Sequence, residues 1–131
     1  MEDRAKVIIP KNLNAPPEQH EIEVAWIFAF HYNCRVEFLK PNEGYKIKTA
    51  DFIMNGMMWE IKSPKGNSRE HTIKRQFRNA KGKNQYLIID GRRTKLDDKF
   101  IIGRIRFELE LHPSVRKLIF IAKDKKVLAM K

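Results

Sequence analysis

The sequence predicts an α/β (α+β) fold in which a mixed central sheet is flanked by helices, and three observations predict it. Asn55-Gly56 stands between two strand-like runs within Thr49–Ser63; this is the strongest short-range hairpin signal, because a type I′ turn needs positive φ at both central residues. Gln85-Tyr86-Leu87-Ile88-Ile89-Asp90 is an apolar run bounded by turn signals, as expected of a strand buried on both faces and central in its sheet. Stretches near residues 17–32, 68–80 and 97–111 place apolar residues at helical spacing. The 131 residues suit a single domain, 17–131, preceded by an arm of residues 1–16. A chain of this length buries about two-thirds of its unfolded surface without disulfide or metal staples.

Folding the hairpin at Asn55-Gly56 pairs Met54 with Met57, Ile53 with Met58, Phe52 with Trp59 and Asp51 with Glu60. Two carboxylates then share one face with Cβ atoms roughly 4.5–5.5 Å apart, and like charges so placed are destabilising unless something offsets the repulsion. A divalent cation would offset it. Lys62, two residues beyond Glu60, joins that face by the period-2 alternation. The opposite face carries Phe52, Met54, Met57, Trp59 and Ile61, an apolar set suited to a core. The alternative is an exposed hairpin whose charges are merely solvated.

In chain order, Lys6-Val7-Ile8-Ile9 predicts a weak edge strand within the arm. The first helix is predicted over Pro17–Tyr32, with Pro17 in its first turn, Glu18, Glu21 and Glu23 at the positive end of the dipole, and Ile22, Ala25, Trp26 and Ala29 facing the core. Glu21 lies on the flank of that stripe, where it could reach the hairpin's acidic face. Glu23 competes for the same place, and a plain dipole role suits either acid. Arg35-Val36-Glu37-Phe38-Leu39 alternates as a strand, ended by Lys40-Pro41-Asn42-Glu43-Gly44. After the hairpin, Ser63–Ser68 breaks the chain before a second helix, Ser68–Ala80, with Ser68 as N-cap and Glu70 in its first turn. Ile73, Phe77 and Ala80 mark its inner side; Lys74, Arg78 and Lys81 share a neighbouring side, with Arg69 and Arg75 close by. Nearly all these charges are positive, which favours phosphate contacts over a merely solvated face. Gly91-Arg92-Arg93-Thr94-Lys95 is a basic loop beyond the carboxyl end of the central strand, where open α/β sheets bind ligands. Asp97-Asp98 cap a third helix to about Leu111, with Phe100, Ile101, Ile105 and Leu109 inward and His112-Pro113 as its stop. Lys117–Ala122 and Lys126–Met130 close the fold as a hairpin about Lys123-Asp124-Lys125.

Lys and Arg number 27 against 16 Asp and Glu, a formal charge of +11. That balance points to a polyanionic partner, nucleic acid ahead of an anionic membrane surface. No apolar run approaches the ~20 residues of a membrane span, and the opening MEDRAKVIIPKN lacks a signal peptide's apolar core. A soluble domain that does not export itself is the expectation. Cys34 is the single cysteine, so an internal disulfide and a cysteine-based zinc site are excluded; it is expected to be a buried small hydrophobe rather than a nucleophile. His20, His31, His71 and His112 lack metal-ligand or triad spacing. His71 would serve as a general base only in a metal-free RNase mechanism through the 2′-hydroxyl.

Asp51 followed by Glu60-Ile61-Lys62 resembles the signature of the PD-(D/E)xK nuclease superfamily. His20-Glu21…Ala25, Val36-Glu37-Phe38, Trp59-Glu60-Ile61-Lys62-Ser63-Pro64-Lys65-Gly66, Thr72-Ile73 with Gln76, and Gln85 before Leu87-Ile88-Ile89-Asp90 together resemble the C-terminal tRNase domain of contact-dependent growth inhibition toxins. The likeness spans about residues 18–130, and the WEIKSPKG block is its most specific part. It implies a restriction-endonuclease-like core and metal-dependent cleavage of tRNA in the cytoplasm of a rival cell. It also implies delivery from a secreted or cell-surface parent protein and a cognate immunity protein that blocks the site. Asp51 and Glu60 would be ligands of Mg²⁺ (or Mn²⁺), whose preference is for hard oxygen donors. The resemblance gives Lys62 the attacking water or the phosphoryl charge, and Glu21 a water or a second ion. Lys65 and Thr72 flank these residues and could touch phosphate or simply shape the loop and the helix start.

The phosphate-binding set expected is Lys65, Arg69, Thr72, Lys74, Arg75, Arg78, Arg92 and Arg93. A DNA endonuclease of the same fold from a mobile element, and a catalytically inactive basic nucleic-acid-binding domain, are the competing readings. Nothing in the sequence speaks to oligomeric state.

Overall fold

The chain's first strand, β1 (Lys6–Ile8), lies parallel to β2 (Arg35–Phe38) with Val7 opposite Val36. It is the edge strand expected of Lys6–Ile9, cut short before Pro10, which has no N–H to give a ladder. The computed structural model describes residues 4–11, 16–39, 51–80 and 86–131, and their contacts sort into two units, Met1–Trp59 and Glu60–Lys131.

In the first unit, helix α1 (Gln19–Tyr32) joins β1 to β2. It begins two residues later than predicted, so Pro17 lies outside it. Glu18 takes an extended N-cap conformation with φ −73° and ψ 160°, and its N–H donates to the Glu21 carboxylate at 2.9 Å. The helix ends at Asn33, whose φ of 48° is left-handed, a conformation Asn tolerates better than most residues. The buried face also differs from the predicted one. Val24, Ala25, Phe28 and Ala29 are fully buried while Trp26 is 40% exposed, and Ile22 is only half-buried. Apolar residues fill nearly every position from Ile22 to Phe30, so spacing alone could not fix the helix's rotation; packing does. Phe28 meets Phe52 edge-on with ring centres 6.2 Å apart, and Trp26 instead stacks on Phe30 at 5.3 Å.

Strands β3 (Phe52–Met54) and β4 (Met57–Lys62) fold about Asn55 and Gly56, whose φ values are 52° and 77°. Both are positive, as a type I′ corner demands. Met54 faces Met57, Ile53 faces Met58 and Phe52 faces Trp59, the expected register. Asp51, just before β3, keeps to the ladder through its N–H, which donates to the Trp59 carbonyl at 2.9 Å. β2 pairs antiparallel with β3. The predicted loop Lys40–Gly44 and Thr49 lie outside the described residues.

In the second unit the last residues of β4, Glu60–Lys62, run parallel to β5 (Tyr86–Asp90), which runs parallel to β6 (Lys117–Ile121); β7 (Val127–Ala129) closes antiparallel. Leu87, Ile88 and Ile89 have no solvent exposure, as the apolar run predicted, and Gln85 lies outside the described residues. Helix α3 (Asp98–Leu111) starts where expected, because the Asp97 carboxylate accepts the Phe100 N–H at 2.7 Å. Helix α2 (Thr72–Ala80) does not. Its predicted start at Ser68 is overturned by a turn over residues 69–71. The Ser68 hydroxyl accepts the His71 N–H at 3.1 Å, while the Ser68 N–H donates to the Thr72 hydroxyl at 2.9 Å. The two hydroxyls close the chain on itself before the helix begins, and Glu70 is left outside the first helical turn, 3.6 Å from His71. The Ala80 side chain and Lys81 lie outside the described residues.

Ile73 and Phe77 of α2 and Ile101 and Ile105 of α3 pack on Leu87, Ile89, Leu118 and Phe120, with Phe100 and Leu109 partly buried against them. Glu60 is aligned with Leu87 and Lys62 with Ile89. Aligned residues of parallel strands share a face, so Glu60 and Lys62 stand on the side of the sheet that α2 and α3 cover.

Candidate active site

Glu60 and Lys62 are two residues apart on β4, and the pleat turns both the same way. Lys62 Nζ lies 2.8 Å from Glu60 Oε1, with side chains 10% and 1% exposed. This overturns the picture of a hairpin with solvated charges. A carboxylate and an ammonium removed from water each lose several kcal/mol of hydration, and this close contact offsets part of that loss.

Asp51 is half-buried; its carbonyl accepts the Leu39 N–H at 3.0 Å. Glu21 stands at the start of α1 with Glu18 and His20. Among the described residues these three offer acid and imidazole ligand atoms within 4.8 Å of one another, and His20 Nδ1 is 3.2 Å from Glu18 Oε2. Glu21 also accepts the N-cap N–H, so it does the helix-start work that was one of its two readings. Glu23 is half-buried.

The chain after β4 supplies a second polar centre. Asp90, fully buried at the carboxyl end of β5, accepts the Arg92 N–H at 3.1 Å, Arg92 Nε at 2.9 Å and Arg92 Nη2 at 2.9 Å, and Ser63 Oγ lies 3.4 Å away. Sequence reasoning missed this pair. Its signal was an acid closing a wholly apolar run with an arginine two residues on. Alternation puts Asp90 on the sheet face opposite Ile89, and so opposite Glu60 and Lys62. Arg92, expected at phosphate, is thus committed to a two-pronged bond with Asp90, the fork geometry that guanidinium and carboxylate share. Arg93 is half-buried.

The loop from Ser63 to His71 is strapped to the loop after β5. The buried Thr94 hydroxyl donates to the Gly66 carbonyl at 2.6 Å, and Asn67 Oδ1 accepts the Lys95 N–H at 2.8 Å. Lys123 Nζ donates to the Gly91 carbonyl at 2.8 Å. Thr72, 5% exposed, spends its hydroxyl on the Ser68 N–H. Lys65, Lys74, Arg75 and Arg78 are exposed. Arg69, also exposed, lays its guanidinium 4.9 Å from the centre of the Phe100 ring.

Two groups near the end of α1 titrate above their ordinary values. Burial pushes the Tyr32 hydroxyl up, helped by repulsion from Cys34, and burial pushes up the Cys34 thiol. Cys34 itself is half-buried rather than fully buried.

No helix among the described residues is long and apolar enough to cross a membrane. A family model described as the contact-dependent growth inhibition CdiA C-terminal domain matches residues 48–127, more than half of the chain. Among solved structures, a chain of the CdiA-CT/CdiI toxin and immunity complex from Burkholderia pseudomallei has a similar fold. Its TM-score is 0.66 at 14% sequence identity, over 96% of this chain and 98% of that one. No curated protein matches the sequence. With more than half its length matched, the chain belongs to the family of contact-dependent growth inhibition CdiA C-terminal domains.

Proposed function

We propose that this domain is a toxin of interbacterial competition and a metal-dependent endonuclease of the PD-(D/E)xK type, cutting RNA and tRNA foremost. The observation that carries the reading is the buried Glu60–Lys62 pair, 2.8 Å apart on one strand. It is the Glu-x-Lys half of the signature, fixed in geometry and shielded from water, where charge acts more strongly on a reacting group than it would in solvent. Family membership supports the toxin part, and the charge of +11 supports a polyanionic substrate.

The donor chemistry fits a hard divalent cation, since carboxylate oxygens are its preferred ligands and Glu60 Oε1 already accepts a cationic group. Asp51 and Glu60 would hold Mg²⁺ (or Mn²⁺), which when bound supplies neutralisation of the charge that builds on the phosphoryl group. Lys62, the more open member of the pair, orients the attacking water and balances the same developing charge. Glu60 in turn keeps the Lys62 ammonium aimed. Exposed Lys65, Lys74, Arg75 and Arg78 draw the phosphate backbone in. By analogy with the toxin and immunity complex, a cognate immunity protein covers the site in the producing cell. The parent protein presents the domain at the cell surface, and its action is in the target cytoplasm.

Incubation with tRNA and with duplex DNA, each with Mg²⁺ and with EDTA, tests this. The expected result is Mg²⁺-dependent tRNA cleavage that falls at least a hundredfold in Glu60→Gln and Lys62→Ala at unchanged far-UV CD. Cleavage of duplex DNA alone would establish the DNA endonuclease instead. Binding without cleavage of either, unaltered by Glu60→Gln, would leave an inactive basic domain.

A further inference from the structure

Helix α3 carries a groove on its outer side that the nuclease reading does not use. Lys99, Phe100, Gly103, Arg104 and Phe107 line a space of about 350 Å³. Phe107 is 52% exposed. Gly103 sits between the two phenylalanines, and a Cβ built on it would meet nothing within 4 Å. The glycine thus leaves a slot, one turn wide, between Phe100 and Phe107. Each ring carries a guanidinium: Arg69 at 4.9 Å from the centre of Phe100 and Arg104 at 5.1 Å from the centre of Phe107. Arg104 is held in place by Glu108, Nη2 to Oε1 3.2 Å, while its Nε has no hydrogen-bond partner among the described residues.

We propose that this groove seats an unpaired base of an RNA, with Phe100, Phe107 and their stacked guanidiniums as the platform and Lys99 and Arg69 against the flanking phosphates. The proposal rests on the nuclease reading and extends it: the substrate would be held by a single-stranded segment as well as at the scissile bond. The charge at the rim fits this occupant. An apolar partner would find three cations around the slot, and a fully paired duplex would offer no open base face to the rings. Stacking on aromatic and guanidinium planes is tolerant of base identity and adds to the phosphate attraction.

The test is Gly103→Leu, which fills the slot from an exposed helical position and replaces a poor helix former by a good one, so the fold is retained; thermal melting checks this. Binding is read in EDTA by fluorescence anisotropy with two labelled probes, a single-stranded oligoadenylate and an RNA duplex of equal length. Affinity for the single strand is expected to fall about tenfold, the scale of one lost stack, with the duplex changed less than about twofold. Phe107→Ala is expected to act in the same direction. Equal losses on both probes, or none, would overturn the proposal. So would a Gly103→Leu effect confined to a third labelled probe, polyglutamate, which would mark the groove for an acidic protein. Cleavage that Glu60→Gln abolishes, alongside wild-type binding by Gly103→Leu, retires the groove and leaves the nuclease. Neither cleavage nor binding of either probe retires both.

Discussion

Removing one member of the Glu60–Lys62 pair would take a close countercharge from a side chain that has almost no contact with water. Lys62→Met is therefore expected to destabilise the domain by about 3–5 kcal/mol, and Glu60→Gln with Lys62→Met together by less than the sum of the singles. Urea denaturation of the double-mutant cycle reads this, and strictly additive losses would mean the two charges do not depend on each other. At the end of α1 the sign of the pH effect follows from raised values. Tyr32 and Cys34 hold their protons more tightly folded than unfolded. Their contribution to stability is complete below the ordinary thiol value of 9.0 and is lost as pH rises through the higher folded values. Denaturation midpoints are expected to fall in that alkaline window, and to fall less in a Tyr32→Phe, Cys34→Ser double variant; an equal fall would sink the assignment. Single residues were unevenly legible. Period-2 spacing was enough to place Glu60 beside Lys62. Asp90 with Arg92 was hidden, because a residue two steps into a turn can point anywhere. The buried Glu108, held by Arg104 and His112 at 3.2 and 3.3 Å, was written as Arg-x3-Glu-x3-His, yet that spacing reads equally as a wet helix face.

Elements were most legible where a local rule decided them. The Asn-Gly corner fixed the hairpin's register, and Asp97 fixed the start of α3. Where two local rules competed, tertiary packing chose. Ser68 was a fair N-cap by type, but the Thr72 hydroxyl reaches back to it and the helix starts four residues later. The rotation of α1 was undecidable from its sequence because apolar side chains occupy both its faces. Close packing at the end of β5 yields a sharper expectation. A Cβ on Gly91 would lie 2.6 Å from the Phe120 ring and 3.0 Å from the Ile121 carbonyl. Gly91→Ala should cost about 1–3 kcal/mol by overpacking, measured as a drop in urea midpoint, and Gly91→Ala with Phe120→Leu should recover part of it. No drop would mean that the strand end gives way more easily than its neighbours suggest.

For the whole molecule the governing quantity is charge. Under the proposed nuclease reading, a net +11 is expected to make nucleic-acid affinity fall with salt, by a log–log slope of roughly −0.7 to −0.9 for each phosphate neutralised. Lys74→Ala is expected to lower that slope by about one phosphate's share at unchanged stability. Arg92→Ala should behave oppositely, leaving the slope alone and unfolding the domain more readily, because it takes the guanidinium from the fully buried Asp90 carboxylate. Salt titration of binding beside urea melts separates the two, and a shallower slope for Arg92→Ala would return that arginine to the phosphate surface. The class of fold was readable because strands and helices each follow their own period. What covers each face was not, since that depends on partners distant in sequence, and for the same reason the burial of Glu60 became visible only once α2 and α3 were in place.

The corner at Asn55-Gly56 also bears on how quickly the molecule assembles. Hairpin contacts close within a few residues, whereas the ladders from β4 to β5 and from β5 to β6 join segments separated by whole helices. Loop closure of that length is the slow step in reaching a native topology. A turn already bent toward its final shape is an early foothold for a collapsing chain, so a side chain at Gly56 that resists φ of 77° is expected to slow folding as well as to weaken the finished product.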